Sequence, residues 1–305
     1  MTTRRTARTG AALSLLLAVT AAACGVDGTP EAAARPRTAL TTVAPEDARP
    51  SAPIDDLVPV GASGARLHLR CEGSGPSTVV LISGFTDGGD SWGAVTDGLI
   101  AEARVCSYAR FGTGTSDAPT VDQRFSTQAA DLHDLLQTAG EPGPYVLAGH
   151  SFGGAQAVAF ADAFADEVRG IVLLDATPTS WPDAACAVPD DGSETAAAFG
   201  HNCDTIFDTP DNVERLDGRA AFAEVARIST LGDLPMRVVT AAHHSYPGLS
   251  PDVAANLERV WNAGQDRWAT LSSDAVAVPV QGAGHYVQVD QPAVVIDQIR
   301  ALLDG

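Results

Sequence analysis

Short apolar runs separated by amphipathic stretches recur from about residue 57 to the end of the chain. Strands covered on both faces read as unbroken apolar runs and surface helices as a stripe of period 3.6, so the alternation predicts a mostly parallel sheet clothed by helices. Strands are expected near Leu57 to Val60, Leu67 to Cys71, Thr78 to Ser83, Val105 to Ala109, Tyr145 to Ala148, Gly170 to Leu174, Met236 to Ala241 and Ala275 to Val280. The clearest helices between them are Gln123 to Thr138, stopped by Gly140, then Phe152 to Phe164, Pro251 to Leu271 and Gln291 to Leu303. Reactive groups in such sheets gather at the carboxyl ends of strands. No internal repeat is visible, and residues 54–305 fit the size of one α/β domain.

The first stretch has a different pattern. Arg4, Arg5 and Arg8 precede an apolar run from Ala11 to Val19, and Ala21, Ala22 and Ala23 precede Cys24. A basic start, a run too short to span a bilayer and small residues at its end predict an export signal over residues 1–24, and an extracytoplasmic mature protein. The small triplet before cysteine resembles the bacterial lipoprotein box, which implies acylation of Cys24 and attachment to a membrane through that lipid alone. An ordinary A-x-A cleavage, leaving a freely secreted protein, fits the same residues. Residues 25–53 are rich in Ala, Pro, Thr and acids without apolar period, which predicts a solvated tether.

Composition narrows the chemistry. The 305 residues are 45% hydrophobic and 19% charged, which fits a globular chain. There is no lysine; the Lys+Arg total of 19 is all arginine, so Schiff-base, pyridoxal-phosphate and P-loop lysine chemistry are excluded. With 38 acidic residues and a formal charge of −19, the chain repels phosphate backbones, and nucleic acid is not an expected partner.

One strand end carries a specific signal. Tyr145-Val146-Leu147-Ala148 runs into Gly149-His150-Ser151-Phe152-Gly153-Gly154 and then a helix of small residues, placing G-x-S-x-G between strand and helix. So tight a turn strains the nucleophile's backbone and needs Gly149 and Gly153, where side chains would clash. A serine hydroxyl attacks poorly at neutral pH unless a base takes its proton, and imidazole does so near its own pKa. Among seven histidines, His285 alone lies in a glycine-flanked loop, Gly282-Ala283-Gly284-His285, after the last strand, and is the expected base. His150, inside the turn, is a pocket or packing residue. His243 and His244, after the seventh strand, have no assigned role.

With these motifs the chain resembles the α/β-hydrolase superfamily from about Leu57 to Leu303. Ser83-Gly84-Phe85 with Trp92 is similar to the family's His-Gly-x loop, with Ser83 in the histidine's place. Tyr108-Ala109-Arg110-Phe111-Gly112-Thr113-Gly114-Thr115-Ser116 is similar to its turn after strand four, with Ala109 where an aspartate is common. The resemblance implies an eight-stranded, mostly parallel sheet with helices on both faces and a lid insertion after strand six. It also implies a serine hydrolase of esterase type that acts on a small-molecule acyl substrate without a cofactor or metal; amide, peptide, thioester or lactone cleavage by the same triad stays open, because all pass through a similar oxyanion. The N–H groups of Phe152 and Phe85 would hold the oxyanion. No carboxylate follows strand seven before Asp252, so Asp175, at the end of the sixth strand, is the expected third member; its order Ser, Asp, His fits the fold. The missing carboxylate and the altered Ser83 and Ala109 leave a second class open, a tethered binding protein on a hydrolase fold.

The insertion spans about residues 178–234. Its eleven acids against three arginines read as a solvated face or an entrance that disfavours anions. Trp181, Phe199 and Phe207 are expected to line an apolar pocket or form the insertion's own core. Outside the cytoplasm cysteines tend to pair, and four permit three connectivities. In this fold strands two and four are antiparallel neighbours, which favours Cys71 with Cys106, and Cys186 with Cys203 would staple the lid.

Overall fold

A computed structural model describes residues 52–304 apart from Ser63, all within one packing unit. The export segment, Cys24 and the tether up to Ser51 lie outside the described residues. Eight strands form one sheet: β1 (Ile54–Val60), β2 (Ala65–Glu72), β3 (Thr78–Ile82), β4 (Arg104–Tyr108), β5 (Tyr145–His150), β6 (Val168–Leu174), β7 (Met236–Ala241) and β8 (Ala275–Val280). Their order is β1-β2-β4-β3-β5-β6-β7-β8; β2 runs antiparallel to both β1 and β4, and every other pair is parallel. The central strands β3 and β5 are buried at every residue, which is why they read as unbroken apolar runs.

The helices are α1 (Gly93–Leu99), α2 (Phe125–Ala139), α3 (Phe152–Ala163), α4 (Trp181–Cys186), α5 (Glu194–Asn202), α6 (Gly218–Ala226), α7 (Pro251–Ala269), α8 (Val287–Asp290) and α9 (Pro292–Leu303). They cover both faces and divide the core into two clusters. One packs α2 and α3 with the insertion against the sheet; the other packs α1 and α9 against the opposite face. The four helices expected from sequence are present within a few residues. α1 was not expected, since two glycines in seven residues give it little helical signal.

The insertion between β6 and β7 is also helical, holding α4, α5, a π-helical turn over Cys203–Phe207 and α6. Both expected disulfides are present. Cys71 lies opposite Cys106 in the antiparallel β2–β4 register, and Cys186 at the end of α4 is joined to Cys203 just after α5. Among the described residues no helix is long and apolar enough to cross a membrane.

Candidate active site

Strand β5 delivers Ser151 to the top of the sheet. Its backbone stands at φ 54°, ψ −122°, a conformation costly for any residue with a Cβ. Neighbouring contacts hold it there: the Ser151 N–H donates to Leu174 O at 3.1 Å, and Ser151 O accepts from Gly154 N–H at 3.0 Å and Thr177 N–H at 3.1 Å. The chain turns so closely that a Cβ at Gly149 would stand 2.4 Å from Gly153 O, and one at Gly153 would stand 2.3 Å from Ile82 O. Ser151 is therefore fixed at the amino end of α3, where unpaired amides and the helix dipole favour negative charge.

His285 reaches Ser151 from the loop after β8. Its Nε2 lies 3.0 Å from Ser151 Oγ and its Nδ1 lies 2.7 Å from Asp175 Oδ2. Asp175 ends β6 with φ +43° and is fully buried. Its Oδ1 accepts from Ala241 N–H at 3.2 Å and Trp261 Nε1–H at 3.0 Å; its Oδ2 meets His285 and also His244 Nε2, at 2.7 Å. Burial alone would raise the Asp175 pKa, but hydrogen bonds and charge from His244 and His285 hold it well below the usual carboxylate range. The carboxylate that meets His285 thus follows β6, while the place after β7 is filled by His244.

His150 is not a pocket residue. It is 1% exposed, lies below the turn and does not line the cavity. Its Nε2–H donates to His285 O at 2.9 Å, which leaves a bare, buried Nδ1 with no partner among the described residues. Burial, helped by the nearby His285, pushes its pKa down to about 3, so it stays neutral and props the backbone of His285.

The segment expected to supply the oxyanion amides is also firmly held. Phe85 and Phe152 pack with tilted rings, centroids 5.3 Å apart, beside Ser151. Phe152 opens α3, so its N–H has no carbonyl one turn below, and the Phe85 N–H has no partner among the described residues. Arg110, 4% exposed, donates to Ser83 O at 2.7 Å and to Gly84 O, and forks onto Glu214 at 2.7 and 3.0 Å. Glu214 Oε1 also accepts from Thr86 N–H at 2.6 Å. The loop carrying the Phe85 amide is thereby gripped on both sides. Ser83, in the histidine's place, accepts from Trp92 Nε1–H at 3.1 Å.

Glu214 corrects the reading of the insertion's acids as one solvated or entrance-lining face. Asp183, Asp190, Asp191, Glu194, Asp204, Asp208, Asp211 and Asp233 are exposed, but Glu214 is 1% exposed and bound to Arg110. A cavity of about 740 Å³ opens over Ser151, and none of the insertion's acids lines it. Its walls include Trp181, Phe199, Ile206 and Phe207 from the insertion, Phe85 and Phe152 from the oxyanion side, and Tyr246 and Trp261 opposite. No sequence signal marked Thr177, whose hydroxyl lies 3.1 Å from Ser151 Oγ, or assigned a role to His244. Asp175, His244 and His285 approach closely enough to suggest a metal centre, but their facing atoms are at hydrogen-bond distance from one another. The other two clusters of potential ligands are built on disulfide-bonded cysteines.

Residues 77–207 match the family model described as the alpha/beta hydrolase fold. Lipase LipV of Mycobacterium tuberculosis is 32% identical over 244 residues, covering 78% of this chain and 84% of its own. The chain belongs to the α/β-hydrolase family. Among solved structures it is similar in fold to Cfl2 of Burkholderia cenocepacia (TM-score 0.56, 24% identity, 82% of this chain and 94% of that one). It is likewise similar to a thermophilic esterase of Thermogutta terrifontis (TM-score 0.55, 21% identity, 83% and 98%).

Proposed function

We propose that the protein is an extracytoplasmic serine hydrolase that cleaves carboxylic esters of neutral, apolar compounds through an acyl-enzyme on Ser151. The observation that carries this reading is the unbroken contact chain from Ser151 through His285 to Asp175, opening into an apolar cavity beside two amides. His285 Nε2 takes the proton as Ser151 Oγ bonds to the ester carbonyl carbon, and Asp175 supports the imidazolium that forms. The carbonyl oxygen becomes an oxyanion held by the Phe85 and Phe152 amides, each such donor typically worth about 3 kcal/mol of barrier. The tetrahedral species collapses as His285 returns the proton to the departing alcohol. Water, deprotonated by the same imidazole, then attacks the acyl-enzyme and restores Ser151.

Among the described residues the cavity lining contains no acid and no arginine, His244 is turned to the carboxylates of Asp175 and Glu258, and the aromatic walls suit an uncharged, apolar acyl or alcohol group. The insertion acts as its lid. The test combines a fluorophosphonate probe with p-nitrophenyl esters of graded chain length. Wild type should label and turn over, whereas Ser151→Ala should not label and should lose roughly a million-fold in kcat. A wild type inert to both would leave a binding protein.

Export and acylation of Cys24 belong to the same proposal, supported by the residue pattern before that cysteine. Mass spectrometry of the mature amino terminus checks it: a diacylglyceryl-modified Cys24 is expected, and an unmodified one marks a secreted protein.

A further inference from the structure

Asp175 has one imidazole more than a triad requires. His285 Nδ1 and His244 Nε2 both lie 2.7 Å from the same oxygen, Oδ2. The other face of His244 is bound as firmly: Glu258 Oε2 lies 3.1 Å from its Nδ1 and accepts from its backbone N–H at 3.1 Å. An ionised carboxylate can only accept, so a His244 ring set between Asp175 and Glu258 satisfies both by donating from both nitrogens, which favours its cationic form. Burial works against this charge, yet Asp175 and Glu258 together raise His244 above the ordinary histidine value.

The groups facing His244 come from four elements. Asp175 ends β6, Glu258 and Trp261 lie on α7, Tyr246 and His243 flank it in its own loop, and His285 stands across Oδ2 with ring centroids 6.2 Å apart. Among the described residues only the two carboxylates are within hydrogen-bond distance of its ring nitrogens.

We propose that His244, carried by Glu258, is a positioning residue for the triad acid, holding Asp175 Oδ2 in line with His285 and dividing that carboxylate's charge between two imidazoles. The kinetic part of the proposal rests on the serine-hydrolase reading. His285 must be neutral to take the Ser151 proton. A cation on the far side of Oδ2 weakens the pull of Asp175 on a second proton at His285, so the base stays free at lower pH and activity extends toward acid.

The test compares wild type with His244→Gln and Glu258→Gln. Glutamine at 244 can still donate an N–H to Oδ2 but carries no charge. With a p-nitrophenyl ester, His244→Gln should shift the acid limb of kcat/KM upward by about 0.5 to 1 pH unit. Glu258→Gln should match wild type at low pH and approach His244→Gln as pH rises and the ring at 244 loses its proton. Imidazole signals followed by NMR titration read the same event without turnover: those of His285 should titrate higher in His244→Gln, and those of His244 lower in Glu258→Gln. An unmoved acid limb and an unmoved His285 titration in a folded His244→Gln protein would overturn the proposal. A wild type inert to ester and fluorophosphonate would instead overturn the hydrolase reading, and the NMR titrations would still decide whether His244 shares Asp175.

Discussion

Asp175 occupies a left-handed backbone position, φ +43°, that a non-glycine residue holds only where surrounding contacts over-determine it. The contacts are its own N–H to Val239 O at 2.7 Å and four donors on its carboxylate. Substituting asparagine keeps the volume but puts an amide where only an acceptor fits, so His285 loses the partner that sets its tautomer. Asp175→Asn should therefore lower kcat by about four orders of magnitude, as steady-state ester hydrolysis would measure. Asp252, in the first turn of α7 and exposed, should tolerate the same change with kcat within about two-fold, as surface substitutions usually do. Fluorophosphonate labelling of both variants separates a lost base from a lost fold. The order Ser, Asp, His made Asp175 legible in the sequence because it ends a strand. His244 and Thr177 were not legible, since nothing local to either residue says what it will face.

At the level of elements, the site is assembled by partners far apart in sequence. Along α7, residues 258, 261, 265 and 268 share one face. Glu258 holds His244, Trp261 holds Asp175, and Gln265 and Trp268 both donate to Ala176 O, at 2.8 and 3.2 Å. The sequence shows α7 plainly by its apolar period but not that this face carries one acceptor, Glu258, and three donors, Trp261, Gln265 and Trp268, turned to the segments after β6 and β7. The same holds for Arg110 and Glu214, 104 residues apart, which join the turn after β4, the oxyanion loop and the insertion. Neither residue looks unusual alone, and Glu214 was lost among ten other acids of its segment. Removing one charge of a buried pair leaves the other uncompensated, so Glu214→Gln should cost about 3 kcal/mol in urea unfolding. The loop carrying the Phe85 amide should also loosen, so kcat should fall about ten-fold or more while KM changes little, the pattern of an interaction made in the transition state. An unchanged kcat in a destabilised protein would confine the pair to a structural role.

For the whole molecule, the sheet was the most legible part: its central strands, buried on two faces, have no choice but apolar residues, and all eight strands appear near their expected places. The insertion was the least legible. Its helices are short, and it stands on the pocket and on a disulfide rather than on a repeating apolar stripe of its own. The buried groups also predict how stability depends on pH. The folded protein holds His150 near a pKa of about 3 against an ordinary value of 6.5, because burial disfavours its charged form. The unfolded chain therefore binds a proton that the folded one refuses; stability conferred by neutral His150 is complete above 6.5 and is lost as pH falls toward 3. Asp175, depressed from 3.8, adds a further loss below about pH 4. Asp131 works the other way: burial and Asp134 raise it to about 6, so its contribution is complete below 3.8 and disappears as pH rises through 6. Between pH 6.5 and 4 His150 and Asp131 thus oppose each other, and wild-type Tm should change only modestly there before falling steeply under acid. His150→Gln, which keeps an N–H for His285 O but cannot titrate, removes one side of the balance. Its Tm should rise on acidification from pH 6.5 to 4 relative to wild type, as Asp131 alone then sets the slope, and thermal scans of the two proteins across that window measure the difference. Parallel curves would mean that His150 accepts its proton in the folded state.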